Sequence, residues 1–196
     1  MSIRKETGYV SKLTAISPLG YTKPHQEIVG AYTISEVTDR AMASITARKD
    51  SVEAVKTILA KILKKPAPKV GGYCAGEIEA FWIGQGQWMM TASLVNHEDI
   101  VASFANKFMG KASLTEQTDG WSRVAITGRD IDRLCTLLCN LDTRSSTTGT
   151  ASRTSVEHIG CFFIRVADDC LHVMGPRSSA GSLYNAISVA AKSAPF

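Results

Sequence analysis

The chain has 196 residues and a net charge of +4, with 44% hydrophobic and 20% charged residues. These values are typical of a folded globular protein and exclude a wholly disordered chain or a fibrous repeat. The basic residues are spread out, which argues against a nucleic-acid-binding surface. No apolar run reaches the roughly 18 residues that span a bilayer or forms a signal peptide, so we expect a cytoplasmic protein that binds no membrane.

The first thirty residues predict an extended arm without regular structure. Four breakers interrupt this stretch, at Pro18, Gly20, Pro24 and Gly30, and such residues favour turns and irregular chain. We therefore divide the chain into an N-terminal extended arm, residues 1–30, and a single α+β domain, residues 31–196.

The next elements predict a β-α unit. Residues 32–37 and 42–48 are rich in β-branched residues with alternating polarity, which indicates strands. Asp50 and Glu53 have the spacing of a capping box, which opens a helix, and apolar residues follow at helical spacing up to Pro66.

A hairpin and a second helix follow. Residues 78–83 and 88–92 predict two short strands joined by the Gly-containing turn 84–87. Asn96 and Asp99 belong to a looser capping box, which opens a helix that ends at Gly110.

The same order then starts again, at an offset of roughly 80 residues. Residues 121–127 predict a strand, 131–141 a helix, and 157–166 with 170–174 another hairpin, before a last helix that begins at Ser178 or Ser179. We predict an α+β fold with a duplicated β-α-β-β-α unit and a pseudo-twofold relation, its copies at about 42–109 and 122–191.

A search for catalytic and cofactor motifs predicts none in this chain. Gly84 and Gly86 begin like a dinucleotide fingerprint, but the third glycine is missing and the pair lies in a hairpin turn. The sequence has no Walker loop, no GxSxG elbow and no HExxH pair. We therefore predict no catalytic and no cofactor-binding residues.

The best metal candidates are four residues of the second hairpin, His158, Cys161, Cys170 and His172. Side chains alternate faces along a strand, so His158 and Cys161 point opposite ways while Cys170 and His172 share a face. At most three could converge, and we predict no bound metal. The cysteines number five at irregular spacing, which argues against a disulfide framework.

The first hairpin holds the densest aromatic and methionine group, at positions 81, 82, 88, 89 and 90. Because alternation turns one of each adjacent pair away from the core, a second helix layer or a partner must cover the outward side chains. Aromatic residues, Met and Arg are enriched at stable interfaces. The candidate subunit-interface residues are therefore Trp82, Trp88, Met90, Arg153 and Arg177.

Six motifs in register give the sequence a family resemblance. They are Ile-Ser-Glu-Val at 34–37 with Ile-Thr-Ala-Arg at 45–48, Phe-Trp-Ile-Gly-Gln-Gly-Gln-Trp-Met-Met at 81–90, Thr-Asp-Gly-Trp-Ser-Arg-Val-Ala-Ile-Thr-Gly at 118–128, Cys-Asn-Leu-Asp at 139–142, Ala-Ser-Arg-Thr-Ser-Val-Glu-His-Ile at 151–159 and Gly-Pro-Arg-Ser-Ser-Ala-Gly-Ser-Leu-Tyr at 175–184. In these motifs the chain resembles the gamma subunit of heterotetrameric sarcosine oxidase. It departs at Gln85 and Gln87, where the family has Pro and an acidic residue.

The resemblance implies a fold similar to the folate-binding domain of aminomethyltransferases. It also implies a non-catalytic accessory subunit, with alpha, beta and delta subunits as partners. In that family FAD, FMN, NAD, the tetrahydrofolate site and zinc belong to the partner subunits. The complex oxidises sarcosine to glycine, passes the one-carbon unit to tetrahydrofolate and forms hydrogen peroxide.

Three alternatives stay open at this point. The chain could bind folate itself as an aminomethyltransferase-like protein, although it lacks the further domains of that enzyme. It could belong to a related oxidase or dehydrogenase for another N-methylated amino acid. An RNA-binding sheet with exposed aromatics would need basic residues around them, and residues 81–90 contain none.

Overall fold

The computed structural model describes residues 14–194. These residues form four α-helices, which are α1 (Val52–Leu63), α2 (Ile100–Ala105), α3 (Ile131–Leu138) and α4 (Ala180–Ser193). The strands of the described part are β1 (Gln26–Val29), β2 (Tyr32–Glu36), β3 (Arg40–Ala47), β4 (Tyr73–Cys74), β5 (Glu79–Gly84), β6 (Gln87–Ser93), β7 (Ala112–Glu116), β8 (Trp121–Gly128), β9 (Ala151–Val156), β10 (Ile159–Ala167) and β11 (Cys170–Pro176). Residues 1–13 of the predicted arm lie outside the described part.

The strands form two sheets in which all neighbours are antiparallel. One sheet has the order β1-β2-β8-β11-β10-β9 and the other the order β4-β5-β6-β3-β7. The two sheets have matching connectivity, because β4-β5-β6-β3-β7 corresponds strand by strand to β9-β10-β11-β8-β2. This order agrees with the predicted repeat, and the descent of the two halves from one unit stays a prediction.

Each half places one strand in the sheet of the other half. Strand β2 precedes β3 in the chain but pairs with β8, and β7 precedes β8 but pairs with β3. The halves are therefore interlinked through their sheets, and neither sheet is built from one half alone. The single domain predicted for residues 31–196 remains a prediction.

Side-chain packing arranges the sheets and helices in four layers. Helices α1 and α2 cover the outer face of the five-stranded sheet, and α3 and α4 cover the outer face of the six-stranded sheet. The inner faces meet in a third cluster, where the Phe81 and Phe162 rings pack edge to face with centroids 5.3 Å apart. Burying both faces of both sheets explains why many strand residues on either side are apolar.

The structure corrects three details of the predicted elements in the first half. Strand β1 lies inside the predicted arm, because pairing with β2 gives residues 26–29 a partner that local propensity does not reveal. Asp50 does not cap α1: its φ of 58° is left-handed, and Ser51 occupies the N-cap without a side-chain bond. The cap of α2 is Asp99, whose carboxylate accepts a hydrogen bond from the Ala102 amide at 2.7 Å.

Besides β1, three strands lack a prediction from the sequence, namely the two-residue strand β4, β7 and β9. Strands β7 and β9 are edge strands of the two sheets, each rich in Ser and Thr and each paired on one side only. Most of the side chains in both strands are exposed or half-buried, so neither strand shows a clear apolar alternation. In the part that the structure describes, no helix is long and apolar enough to cross a membrane.

Candidate functional site

The β5-β6 hairpin shows which faces its aromatic and methionine residues occupy. Trp82 and Trp88 are paired across the hairpin, as are Phe81 and Met89. The two tryptophans point toward α1 and α2, while Phe81 and Met89 point toward the six-stranded sheet. Alternation therefore places adjacent residues on opposite faces, and the chain's own layers cover both faces.

Two of the candidate interface residues, Trp88 and Met90, are buried within this chain, and their role at an interface stays a prediction. Their exposed fractions are 1% and 0%, because α1 and α2 form the second layer over this face. The Trp88 indole also donates a hydrogen bond to the Pro68 carbonyl at 2.9 Å. Trp82 is half-buried and packs against the same cluster.

The two arginines of the predicted interface lie elsewhere on the molecule. Arg153 is exposed on the edge strand β9, with its guanidinium carbon 5.9 Å from the centre of the Phe162 ring. Arg177 follows β11, 3.6 Å from the Asp119 carboxylate, and it donates a hydrogen bond to the Ile16 carbonyl. The structure brings neither arginine to the tryptophan hairpin, and whether they contact a partner stays a prediction.

A cluster of buried polar and charged side chains lies between the two sheets. Arg123 of β8 donates from Nη1 to Glu79 of β5 at 2.8 Å and from Nε to Nδ1 of His172 at 2.8 Å. Thr91 donates to the same Glu79 oxygen at 2.9 Å, and Arg40 lies 3.5 Å from the other one. The cluster links both sheets, because its members come from each of them.

Burial and neighbouring charge determine the ionisation of this cluster. Burial by itself would raise the pKa of Glu79, but Arg123, Arg40 and the Thr91 hydrogen bond together lower it. Burial lowers the pKa of His172 to about 3, and the Arg123 charge lowers it further. Burial also raises the pKa of Tyr73, beside Glu79 and Arg123, to about 12. Glu79 is therefore ionised and His172 and Tyr73 neutral near pH 7.

These states fit a structural link better than a proton-transfer site. A general acid or base needs a pKa near the working pH and room for a substrate. The Glu79 oxygens are occupied by Arg123, Thr91 and Arg40, and His172 accepts from Arg123. The cluster is thus held together by its own charges.

Sequence reasoning missed this cluster, although a signal was present. Arg123 stands in the middle of the apolar strand β8, where a charge must find a buried partner. The partners could not be identified from the sequence, since Glu79 is 44 positions away and His172 49 positions away. From the sequence, His172 is a candidate only for metal binding.

The four metal candidates do not converge. Cys161 packs in the cluster under α3 and α4, while His172 points between the sheets to Arg123. His158 lies exposed in the turn after β9, with a φ of 69°, and Cys170 is half-buried at the start of β11. Within residues 14–194, no group of three or more His, Cys, Asp or Glu side chains is placed to hold a metal ion.

A surface cleft of about 290 Å³ opens beside the buried cluster. Tyr21, Trp121, Arg40 and Arg177 line it, and the segment before β1 forms one wall. Glu36 holds that segment, because its carboxylate accepts hydrogen bonds from the backbone amides of residues 19 and 25 at 3.1 and 2.8 Å. Both guanidinium groups of the cleft already have carboxylate partners within this chain.

Comparison with solved structures identifies proteins with a similar fold. One is heterotetrameric sarcosine oxidase from Corynebacterium sp. U-96 in complex with pyrrole 2-carboxylate, with a TM-score of 0.68 and 15% identity over 87% of this chain and 90% of the matched chain. Another is the glycine cleavage system aminomethyltransferase T from Bartonella henselae, with a TM-score of 0.59 and 14% identity over 80% of this chain and 48% of the other. At these identities the similarity establishes the fold. The expected likeness to sarcosine oxidase and aminomethyltransferase folds is therefore confirmed at the level of architecture.

Two further comparisons give no match. No model of a known protein family matches the sequence. The search of curated proteins found no match either.

Proposed function

We propose that this chain is a non-catalytic accessory subunit of a heterotetrameric complex of the sarcosine oxidase type. The observation that carries the proposal is the extent of the structural match, which spans 87% of this chain and 90% of the matched sarcosine oxidase chain. A chain of matching length and fold has the dimensions of one subunit of such an assembly. The resemblance of six sequence motifs to the gamma subunit supports the same assignment.

The filled interior supports an accessory role. Between the sheets, apolar side chains such as Phe81, Met89 and Phe162 pack together, and the charged groups beside them bind one another. A large cofactor in this layer would have to displace both groups. In this proposal FAD, FMN, NAD, tetrahydrofolate and zinc are held by the alpha, beta and delta subunits.

The matching strand orders of the two sheets support an internal duplication. In each half, a strand that enters the opposite sheet is followed by a strand, a helix, three strands and a helix. We infer that the halves are related by a pseudo-twofold axis. Such an axis would give the accessory subunit two similar helix layers on opposite outer faces.

A second candidate is a folate-binding protein of the aminomethyltransferase type. The similarity of fold over 80% of this chain favours it, but the chain spans about half the length of that aminomethyltransferase. Titration of the isolated chain with tetrahydrofolate distinguishes the two candidate functions. Quenching of the tryptophan fluorescence reports the binding. Saturable binding by the isolated chain favours the second candidate, and binding only by the assembled complex favours the first.

Co-expression with the flavin-bearing subunits tests the main proposal. We expect the chain to co-purify with them at a fixed ratio, and the flavin absorption to belong to those subunits. The isolated chain should be colourless and should form no hydrogen peroxide from sarcosine. A flavin retained by the isolated chain at near one per molecule would contradict the proposal. Offering several N-methylated amino acids to the complex then identifies the amino acid it oxidises.

A further inference from the structure

An open groove of about 590 Å³ lies between α1 and α2 on the outer helix layer. Its apolar lining comes from both helices and from the chain before β5, and consists of Ile58, Ile62, Ile78 and Phe104. The first three are half-buried and pack on the core beneath them, and Phe104 is part of that core. The groove floor is therefore apolar and supported by the fold.

The rim of the groove is basic. Lys61 of α1 and Lys107, just after α2, both line it and are both exposed. Among residues 14–194 neither lysine forms an ion pair, and the groove lining contains no carboxylate. The nearby Asp99 carboxylate is engaged by the Ala102 amide as the α2 cap. Glu77 and Glu98, next to lining residues in the sequence, are exposed and lie outside the lining.

We propose that this groove is the docking site for an acidic amphipathic segment of a partner subunit. The groove has an apolar floor and a positively charged rim. It therefore fits an amphipathic helix with apolar residues at i, i+3, i+4 and i+7 and carboxylates on both sides of that apolar stripe. Helix α1 lines one wall with Ile58, Lys61 and Ile62, a little more than one helical turn, so the groove contacts about one to two turns of such a segment. The inference rests on the proposed accessory function and adds the chemistry of the contact.

Charge argues against two other occupants. Residues 1–13 of this chain carry Arg4, Lys5 and Lys12 against Glu6, so they share the sign of the rim. A second copy would bring its own Lys61 and Lys107 against the same two lysines across a symmetric contact, which is repulsive. A partner that supplies carboxylates is the complementary choice.

The test reverses the rim charge and follows two ligands. The variant K61E/K107E is compared with R133E/R144E, which makes an equal charge change at exposed arginines of the opposite half. The first ligand is a fluorescent 18-residue peptide of Leu, Ala and Glu with the spacing given above, and its counterpart has Lys in place of Glu. The second is the flavin-bearing subunit pair, co-expressed with each full-length variant. Circular dichroism confirms the fold of each variant.

We expect the acidic peptide to bind the native chain about tenfold more tightly than K61E/K107E, with R133E/R144E like the native chain, and the basic peptide to show the reverse preference. Zero-length cross-linking should join Lys61 or Lys107 to a carboxylate of a flavin-bearing subunit. Equal peptide affinities, or cross-links to Glu6 or to a second copy, overturn the docking site. Normal assembly of K61E/K107E overturns the docking site while the accessory function stands. Failure of the native chain to assemble overturns the accessory function instead.

Discussion

Arg123 on β8 and Glu79 on β5 form an ion pair across the space between the two sheets, with Nη1 and Oε2 2.8 Å apart. The Arg123 side chain is only 2% exposed, so its charge depends on partners within the protein. Glu79 supplies the opposite charge from the other sheet, and His172, which lies on the same sheet as Arg123, accepts a hydrogen bond from Arg123 Nε. The pair therefore fixes how the two inner faces are placed against each other.

Removing the carboxylate of this pair should destabilise the fold strongly. In Glu79→Ala the buried Arg123 guanidinium loses its nearest anion, and breaking a buried pair from one side typically lowers the free energy of unfolding by about 3 to 5 kcal/mol. Urea unfolding followed by circular dichroism measures the loss. Glu77→Ala, at an exposed neighbouring position, is the control and should change the free energy by less than about 0.5 kcal/mol. Equal effects of the two substitutions would show that the pair contributes nothing specific.

The stability of the protein should fall as the pH is lowered from about 7 toward 4. The pKa of His172 is about 3 in the folded protein against an ordinary value of 6.5, so between these values the unfolded chain binds a proton that the folded chain does not. The contribution of His172 is therefore complete above pH 6.5 and is lost progressively below it. Glu79, whose pKa is lowered from 4.5, adds a loss of the same sign at lower pH.

His172→Gln should flatten the dependence of stability on pH between pH 6.5 and 4.5. The side-chain amide oxygen of Gln can accept the hydrogen bond from Arg123, but the amide binds no proton in this range. The slope removed is at most about 1.4 kcal/mol per pH unit. Urea midpoints at pH 7.5, 6.5, 5.5 and 4.5 measure it. The exposed substitution His158→Gln serves as the control and should retain the native profile. A native profile in both variants would assign the acid sensitivity to other groups.

Local sequence signals predicted most of the elements of this fold. The apolar spacing of α1 and the Gly-containing turn of the β5-β6 hairpin are set within a few residues, so both were placed nearly correctly. Strand β7 is not evident from the sequence because its partner, β3, lies far earlier in the chain. Strand β9 pairs with β10 directly after it, but the predicted strand 157–166 starts at the turn residues Glu157 and His158, both of which have positive φ, and so leaves β9 out. The placement of β2 in the sheet of the second half, and of β7 in the sheet of the first half, is likewise not indicated by any local sequence pattern.

The candidate site was less predictable for a related reason. Alternation correctly separated Trp82 from Phe81 and Met89 from Met90, but it could not say whether a helix or a partner covers the outer face. Packing of α1 and α2 decides that question in favour of the chain itself. The buried charge cluster stayed hidden because its members are distant in sequence and are joined only by the stacking of the two sheets.

Trp88→Ala should lower the stability of the fold, whereas Arg153→Ala, at an exposed position, should leave the stability almost unchanged. Truncating a buried Trp typically lowers the free energy of unfolding by about 3 to 5 kcal/mol, and here the hydrogen bond to Pro68 is lost as well. Arg153 is exposed on β9, so its loss should change that free energy by less than about 0.5 kcal/mol. Thermal unfolding and co-purification with the flavin-bearing subunits are measured together. A stable Trp88→Ala chain that fails to assemble would support the original interface assignment.

The contact between β2 and β8 should tolerate no side chain at Gly128. A Cβ there would lie 2.4 Å from the Ala31 carbonyl oxygen and 2.9 Å from the Tyr32 ring, and neither the backbone nor the buried ring can move freely. Gly128→Ala should therefore separate the exchanged strand from its sheet and lower the free energy of unfolding by about 1 to 3 kcal/mol. Gly160→Ala is the matched control, because a Cβ on β10 of the same sheet meets nothing within 4 Å. Hydrogen exchange should show faster exchange of the β2 amides in the first variant and native protection in the second. Equal stability of both variants would mean that the pairing of β2 with β8 is looser than the structure shows.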